Sequence, residues 1–354
     1  MNRRERVLAA INHEKLDRVP TDIWATQEVW EKLRQHFGPD TDIRALLGID
    51  GFHGTGPSYL GPPLPKPPDG EYYGGFGYWG IRDRIMHYET GSYSEQSFWP
   101  LADAKTIDEL EQFSWPSPDW FDYKLMREQA EAAHDRACVM SGYMTPFFMH
   151  NLLRGLEQSL MDPHDDADFT HHLLKRICDF LYEKHLRIFE TCEGLIDVSQ
   201  VTDDYGSQTG PMISLSTFRE FYKPHLQRLI DLCHGFGIKV FHHDDGAIRE
   251  FLPDLVEMGI DILNPVQHVC PGMEMEGLKR DFGDKLCFHG AIDNQQVLPF
   301  GTTEDVRAEV RDAIDALARD QTGYILAPCH NLQAVTPVEN IIAMYDEAAK
   351  YGKF

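Results

Sequence analysis

Short apolar or β-branched runs alternate along this chain with longer segments whose apolar residues recur every three to four positions. The runs predict strands over Val19–Trp24, Ile49–Phe52, Ala137–Ser141, Leu195–Val201, Ile238–His242, Ile260–Asn264, Lys285–His289 and Gly323–Ala327. Between them lie amphipathic helices. Leu173, Ile177, Phe180, Leu181 and Ile188 form one stripe, and Phe218, Tyr222, Leu226, Leu229 and Cys233 form another. Eight strands with helical crossovers are the pattern of a (β/α)8 TIM barrel. A doubly wound open sheet is the rival, but no G-x-G-x-x-G follows a strand. The barrel is the expectation, as one domain over residues 1–354.

One stretch breaks the alternation. Residues 54–100, after the second predicted strand, are rich in Gly, Pro and aromatics. Pro62–Pro68 cannot be helical, and Tyr72–His87 with Tyr88–Trp99 alternates as a hairpin would, turning at Glu89-Thr90-Gly91. An insertion of this length is expected to be a lid or wall over a site; a surface decoration or homodimer contact is the alternative.

Charge narrows the function. Thirty-three basic against 57 acidic residues give a net charge of -24, which opposes phosphate backbones and anionic lipid, so neither nucleic acid nor membrane is an expected partner. No apolar run approaches the roughly 20 residues that cross a bilayer. The N-terminal stretch lacks a signal peptide's core and reads as a helix with Val7, Leu8 and Ile11 on one face. Seven scattered Cys without a C-x-x-C pair suit a reducing compartment, and the cytoplasm is the expected location.

In a parallel barrel, reactive groups gather at the carboxyl ends of the strands. One predicted strand ends in Asp203-Asp204-Tyr205 and leads to Gln208, a set suited to a polar small-molecule substrate. Asp204 is expected to be catalytic, with Asp203 and Gln208 as substrate contacts. A second strand runs into His242-His243-Asp244-Asp245-Gly246, and four consecutive polar residues there are costly unless they face a wet or metal-bearing cavity. Residues i and i+2 share a strand face, so His243 and Asp245 can converge as metal ligands; a buried His oriented by its Asp is the other reading. The last strand leads into Cys329-His330, of which strand parity lets only one face the interior. Asn264, Gln267, His289 and Asp293 end neighbouring strands, and Gln267 is expected to touch substrate. Trp24, Tyr143, Phe147 and Phe148 could accommodate an apolar group, with Tyr143 as a substrate contact.

These residues sit in segments that together resemble the uroporphyrinogen decarboxylase superfamily, which includes zinc methyltransferases such as methylcobamide:coenzyme M methyltransferase. The segments are NRRERVLAAINHEKLDRVP, LLRGLEQSLMDPHD, DDYGSQTGPMISLSTFREFYKPHLQRLID, FHHDDGAIREFLPDLVEMGIDILNPVQ and TPVENIIAMYDEAAKYG, nearly end to end. The resemblance implies a (β/α)8 barrel. The porphyrin decarboxylases carry an Arg-Gln-Ala-Gly-Arg segment after the first strand, where this chain has DIWATQEVWEKLRQHFG without an arginine pair. The methyltransferase branch is closer. It binds zinc through His-x-Cys and a later Cys, onto which His243, Asp245 and His330 fall, with Cys329 one residue out of step. Asp245 would then be both ligand and part of the catalytic machinery. A set with one carboxylate leaves a divalent ion, zinc by resemblance, at a formal charge of +1, which suits oxygen rather than thiol partners.

The resemblance therefore implies methyl transfer between an O-methylated (or N-methylated) compound and a corrinoid. No Asp-x-His-x-x-Gly motif occurs here, so the cobalamin would ride on a partner protein. Two alternatives stand beside this. One is a corrinoid-independent lyase, decarboxylase or hydrolase using Asp203, Asp204 or Asp245 as acid or base. The other is a non-catalytic binding barrel.

Overall fold

A computed structural model describes residues 1–88 and 91–354. Its centre is a curled parallel sheet of seven strands, β1 (Phe52–Thr55), β2 (Cys138–Met144), β3 (Val198–Val201), β4 (Lys239–His243), β5 (Ile262–Val266), β6 (Cys287–Ile292) and β7 (Tyr324–Pro328), paired in chain order. Parallel neighbours need long crossovers, and helices supply most of them. Ala167–Thr191 joins β2 to β3, Lys223–Gly235 joins β3 to β4, and Thr303–Leu317 joins β6 to β7. Both predicted apolar stripes are buried along their whole length. Caps fix where these helices begin: the Thr302 hydroxyl accepts from the Asp305 amide at 3.2 Å while the Asp305 carboxylate accepts from the Thr302 amide at 2.8 Å.

The inner face of the sheet carries Cys138, Met140, Val198, Phe241, Ile262, Cys287 and Ile325. The N-terminal helix Arg3–Ile11 closes one end on them with Val7 and Ile11. Packing fills that end and leaves polar residues to the opposite rim, where the strands finish.

Two expectations change in detail. Eight barrel strands were expected and, among the described residues, seven pair in the central sheet. The first, Val19–Trp24, is extended chain with isolated bridges from Thr21 to Leu326 and from Ala25 to Leu332. The Asp22 amide donates to the Leu326 carbonyl at 2.9 Å, and the Thr21 carbonyl accepts from Asp50 at 3.0 Å. Pro20 has no N–H to extend that ladder. The remaining strands begin one to three residues later than the apolar runs and end up to three residues beyond them. The ladders of β1 and β4 continue into the polar residues Thr55 and His243 at the rim, which a hydrophobicity criterion excludes.

The insertion forms a three-stranded antiparallel sheet from Glu71–Tyr72, Arg82–Tyr88 and Gly91–Phe98. The predicted turn residues Glu89 and Thr90 lie outside the described residues, although Tyr88 pairs with Gly91 across them. The 62–68 proline cluster is neither helix nor strand. Among the described residues no helix is long and apolar enough to cross a membrane.

Candidate metal centre

Alternation along β4 sends Phe241 to the inner face, and His243, two residues on, follows it. The chain then turns sharply at Gly246, whose φ is +87° and where a Cβ would lie only 2.4 Å from the Ser207 carbonyl oxygen. Asp245 stays beside His243, with 3.9 Å between its carboxylate and Nε2. His330, just past β7, places its Nε2 3.8 Å from the same Asp245 oxygen. Ligand atoms of His243, Asp245 and His330 all lie within 4.8 Å of one another. Asp204 joins them from the loop after β3: its Oδ1 is 3.7 Å from His243 Nε2 and accepts from the Asp245 amide at 3.3 Å.

A buried hydrogen-bond chain fixes which nitrogen His243 presents. A carboxylate only accepts, so Asp22 Oδ2 accepts a hydrogen bond from His289 Nε2 at 3.1 Å. His289 Nδ1 must then accept from the Asn264 amide nitrogen at 2.6 Å. That leaves Asn264 Oδ1 to accept from His243 Nδ1, also at 2.6 Å. The His243 Nε2 lone pair is thereby directed at Asp245 and His330. Trp24 donates to the same Asp22 oxygen at 3.2 Å, and its ring lies 5.6 Å from His243 and 6.3 Å from His330. Burial holds the Asp245 carboxyl above the usual carboxylate range against the pull of both histidines, and holds His330 below the usual imidazole range. The cluster disfavours its own charges, a condition that a bound cation would relieve.

The other expected site residues divide. Gln208 and Gln267 bond to each other at 3.2 Å, and with Asp245, His330, Asn294, Gln295, Gln333 and Cys329 they line a cleft of about 290 Å³. Gln267 also accepts from the Gly246 amide at 2.9 Å and so braces the ligand loop. Cys329 is buried, its thiol 3.7 Å from the Val266 carbonyl and outside the His/Asp/His group. Burial pushes that thiol up, away from thiolate character. Asp203, expected to touch substrate, is 2% exposed. Its oxygens accept from Thr145 at 2.6 Å, the Phe148 amide at 2.9 Å and Tyr205 at 2.7 Å, which gives it the task of tying two rim loops together. Burial raises it to about 7. Tyr143 lines a different cavity, described below.

Sequence reasoning missed Asp22 and Gln333. A lone acid inside the apolar run Val19–Trp24 was the available signal for Asp22. Of the neighbours flanking the ligands, Asp244 is fully buried and accepts from the Tyr205 amide at 2.8 Å and the Gly206 amide at 3.1 Å, so the loop after β4 holds the loop after β3.

The fold and the cluster together define a TIM-like α/β protein with a polar His/Asp constellation at the carboxyl ends of its strands. The uroporphyrinogen decarboxylase (URO-D) family matches residues 85–351, most of the chain, and the protein belongs to that family. Among solved structures, a methyltransferase from Methanosarcina mazei superposes with a TM-score of 0.65 at 18% identity, covering 99% of each chain, and shares the fold. A 3-keto-D-glucoside 4-epimerase from E. coli reaches a TM-score of 0.41 at 15% identity over 73% of this chain and 96% of its own. No curated protein matches the sequence.

Proposed function

We propose that this protein is a metal-dependent methyltransferase that activates a small O-methylated substrate for exchange of its methyl group with a corrinoid carried by a partner protein. The observation that carries the reading is the convergence of His243, Asp245 and His330 within 4.8 Å, beside a cleft of amide side chains. Two imidazoles and one carboxylate form a donor set of intermediate hardness, suited to zinc. The donor set fits, and the chain through Asn264, His289 and Asp22 is the outer shell that such a site needs. When bound, the ion would supply Lewis acidity toward a substrate oxygen.

The chain's own residues supply the rest. Gln208 and Gln267 offer amide groups to orient a polar substrate in the cleft. Asp204, 36% exposed and adjacent to the ligands, can give or take the proton at the substrate oxygen as the methyl group leaves or arrives. Absence of the arginine pair, together with the net charge of -24, weighs against a polycarboxylate porphyrin.

The test is to measure metal content of the purified protein, then incubate it with a methyl-accepting corrinoid protein and a panel of methoxylated compounds while following methylcobalamin absorbance. Stoichiometric zinc and methylcobalamin formation that chelation abolishes are expected. A protein without a divalent ion, or turnover that survives exhaustive chelation, would replace this reading with the corrinoid-independent lyase.

A further inference from the structure

Beneath the insertion lies a second cavity of about 510 Å³, which shares no lining residue with the cleft at the His/Asp/His cluster. Its walls are aromatic. Tyr59 stacks on Tyr78 at 6.0 Å, Tyr78 meets Phe121 edge-on at 5.2 Å, and Phe76 lies 5.8 Å from Tyr143. The charge in this lining is Lys184, from the middle of helix Ala167–Thr191. Its ammonium sits 4.2 Å from the Phe121 ring centre and 5.2 Å from that of Tyr78, and it donates to the Tyr78 hydroxyl at 3.3 Å.

Among the described residues Lys184 has no carboxylate partner, in a chain with 57 acidic residues. The other basic residues of its helix are paired: Lys175 with Asp179, Arg176 with Glu111, and Arg187 with Glu183 and Asp119. An ammonium has three donors, and one is used. Leaving a desolvated charge unpaired in an aromatic chamber is costly, and an anionic ligand would remove that cost.

We propose that this cavity is a binding site for an aromatic carboxylate, the ring lying among Tyr59, Phe76 and Tyr78 and the carboxylate meeting Lys184. The volume falls within the range of small-molecule sites and admits one or two fused rings. Ring stacking supplies affinity, and one charged hydrogen bond selects the acid over its neutral analogue. This site does not depend on the metal reading.

The test is calorimetric titration of the full chain with 2-naphthoate and with the uncharged 2-naphthalenemethanol. The wild type is expected to bind the acid at least about tenfold more tightly, the difference one charge-assisted hydrogen bond makes. Lys184→Gln should remove that preference and leave affinity for the alcohol within about twofold, Lys184→Arg should keep it, and His243→Ala should leave both affinities unchanged. Equal affinity for acid and alcohol in the wild type, or binding of neither, overturns the proposal and leaves Lys184 as a structural bridge between Tyr78 and Phe121. Loss of naphthoate binding in His243→Ala overturns it too, by moving the ligand to the cluster. Should Lys184→Gln fail to fold by circular dichroism, the wild-type ratio with the Lys184→Arg and His243→Ala titrations decides.

Discussion

The two cavities at the rim are built on opposite principles. The cleft beside His243 is polar, and the side chains of its candidate metal cluster project from the ends of β4 and β7, with His243 held by hydrogen bonds that reach across the inner face of the sheet. The aromatic cavity is roofed by an insertion and walled by rings, with a single cation projecting from a helix. In the first, position is over-determined: His243 cannot rotate without breaking a relay that ends at Asp22. In the second, the scaffold supplies shape and leaves one charge for a ligand to complete. Strand ends suit chemistry that needs fixed atoms, and an inserted wall suits recognition, which tolerates adjustment.

The sharpest way to break the comparison is to loosen the insertion without touching the cluster. Asp162 accepts from both Arg154 Nε and Nη2 at 2.8 and 2.9 Å and lies 2.9 Å from His150 Nε2, all three buried. Arg154 in turn donates to the carbonyls of Leu101 and, at 2.7 Å, Ala104, where the insertion rejoins the fold. Asp162→Ala leaves that guanidinium buried without its carboxylate, so a loss of about 3–5 kcal/mol in urea denaturation is expected. Affinity for naphthoate should fall while zinc affinity holds. Equal loss of both would show that the two cavities are not separately built.

The cluster is tested next. His243→Ala removes a ligand, and competition with a chromophoric chelator should show zinc affinity reduced by more than the roughly 100-fold that marks the upper range for outer-shell changes. A smaller effect follows from Asn264→Leu, which keeps the volume and breaks the relay at its middle. A loss of about 10–100-fold is expected there, with naphthoate binding untouched. Unchanged zinc affinity in Asn264→Leu would mean that His243 is positioned by packing against Trp24 rather than by the relay.

How much of this could be read in the sequence follows from the same contrast. Strands such as β5 and β7 were legible because apolar runs cover most of their length, and the ends of others were not, because their ladders go on into residues such as Thr55 and His243. The polar run from His242 to Asp245 was visible as an anomaly after an apolar strand, so the juxtaposition of His243 with Asp245 could be expected from strand parity. The relay behind it could not. Its members lie up to 267 positions apart, and each alone is an ordinary polar residue. Lys184 was hidden for a similar reason: on helix Ala167–Thr191 it reads as one more surface lysine until the insertion folds over it.

The mildest expected effect concerns pH, and it separates the cavities by the group that titrates. Burial lowers Lys184 to about 8, so at neutral pH it is mostly cationic. A carboxylate that pairs with it raises that value in the complex, which means that only the protonated lysine binds well. Naphthoate affinity should therefore be flat below about pH 8 and fall toward tenfold per unit above it, the slope of a single proton. Several titratable groups face Lys184. Tyr59, Tyr73 and Tyr78 approach from the insertion, Tyr143 from the end of β2 and His185 from its own helix. Burial pushes Tyr78 up to about 12 and His185 down to about 3, so both stay neutral through this range. Lys184→Arg should flatten the profile, because a guanidinium keeps its charge. A profile that falls equally in wild type and Lys184→Arg would assign the proton to another group and take the ligand's carboxylate away from Lys184.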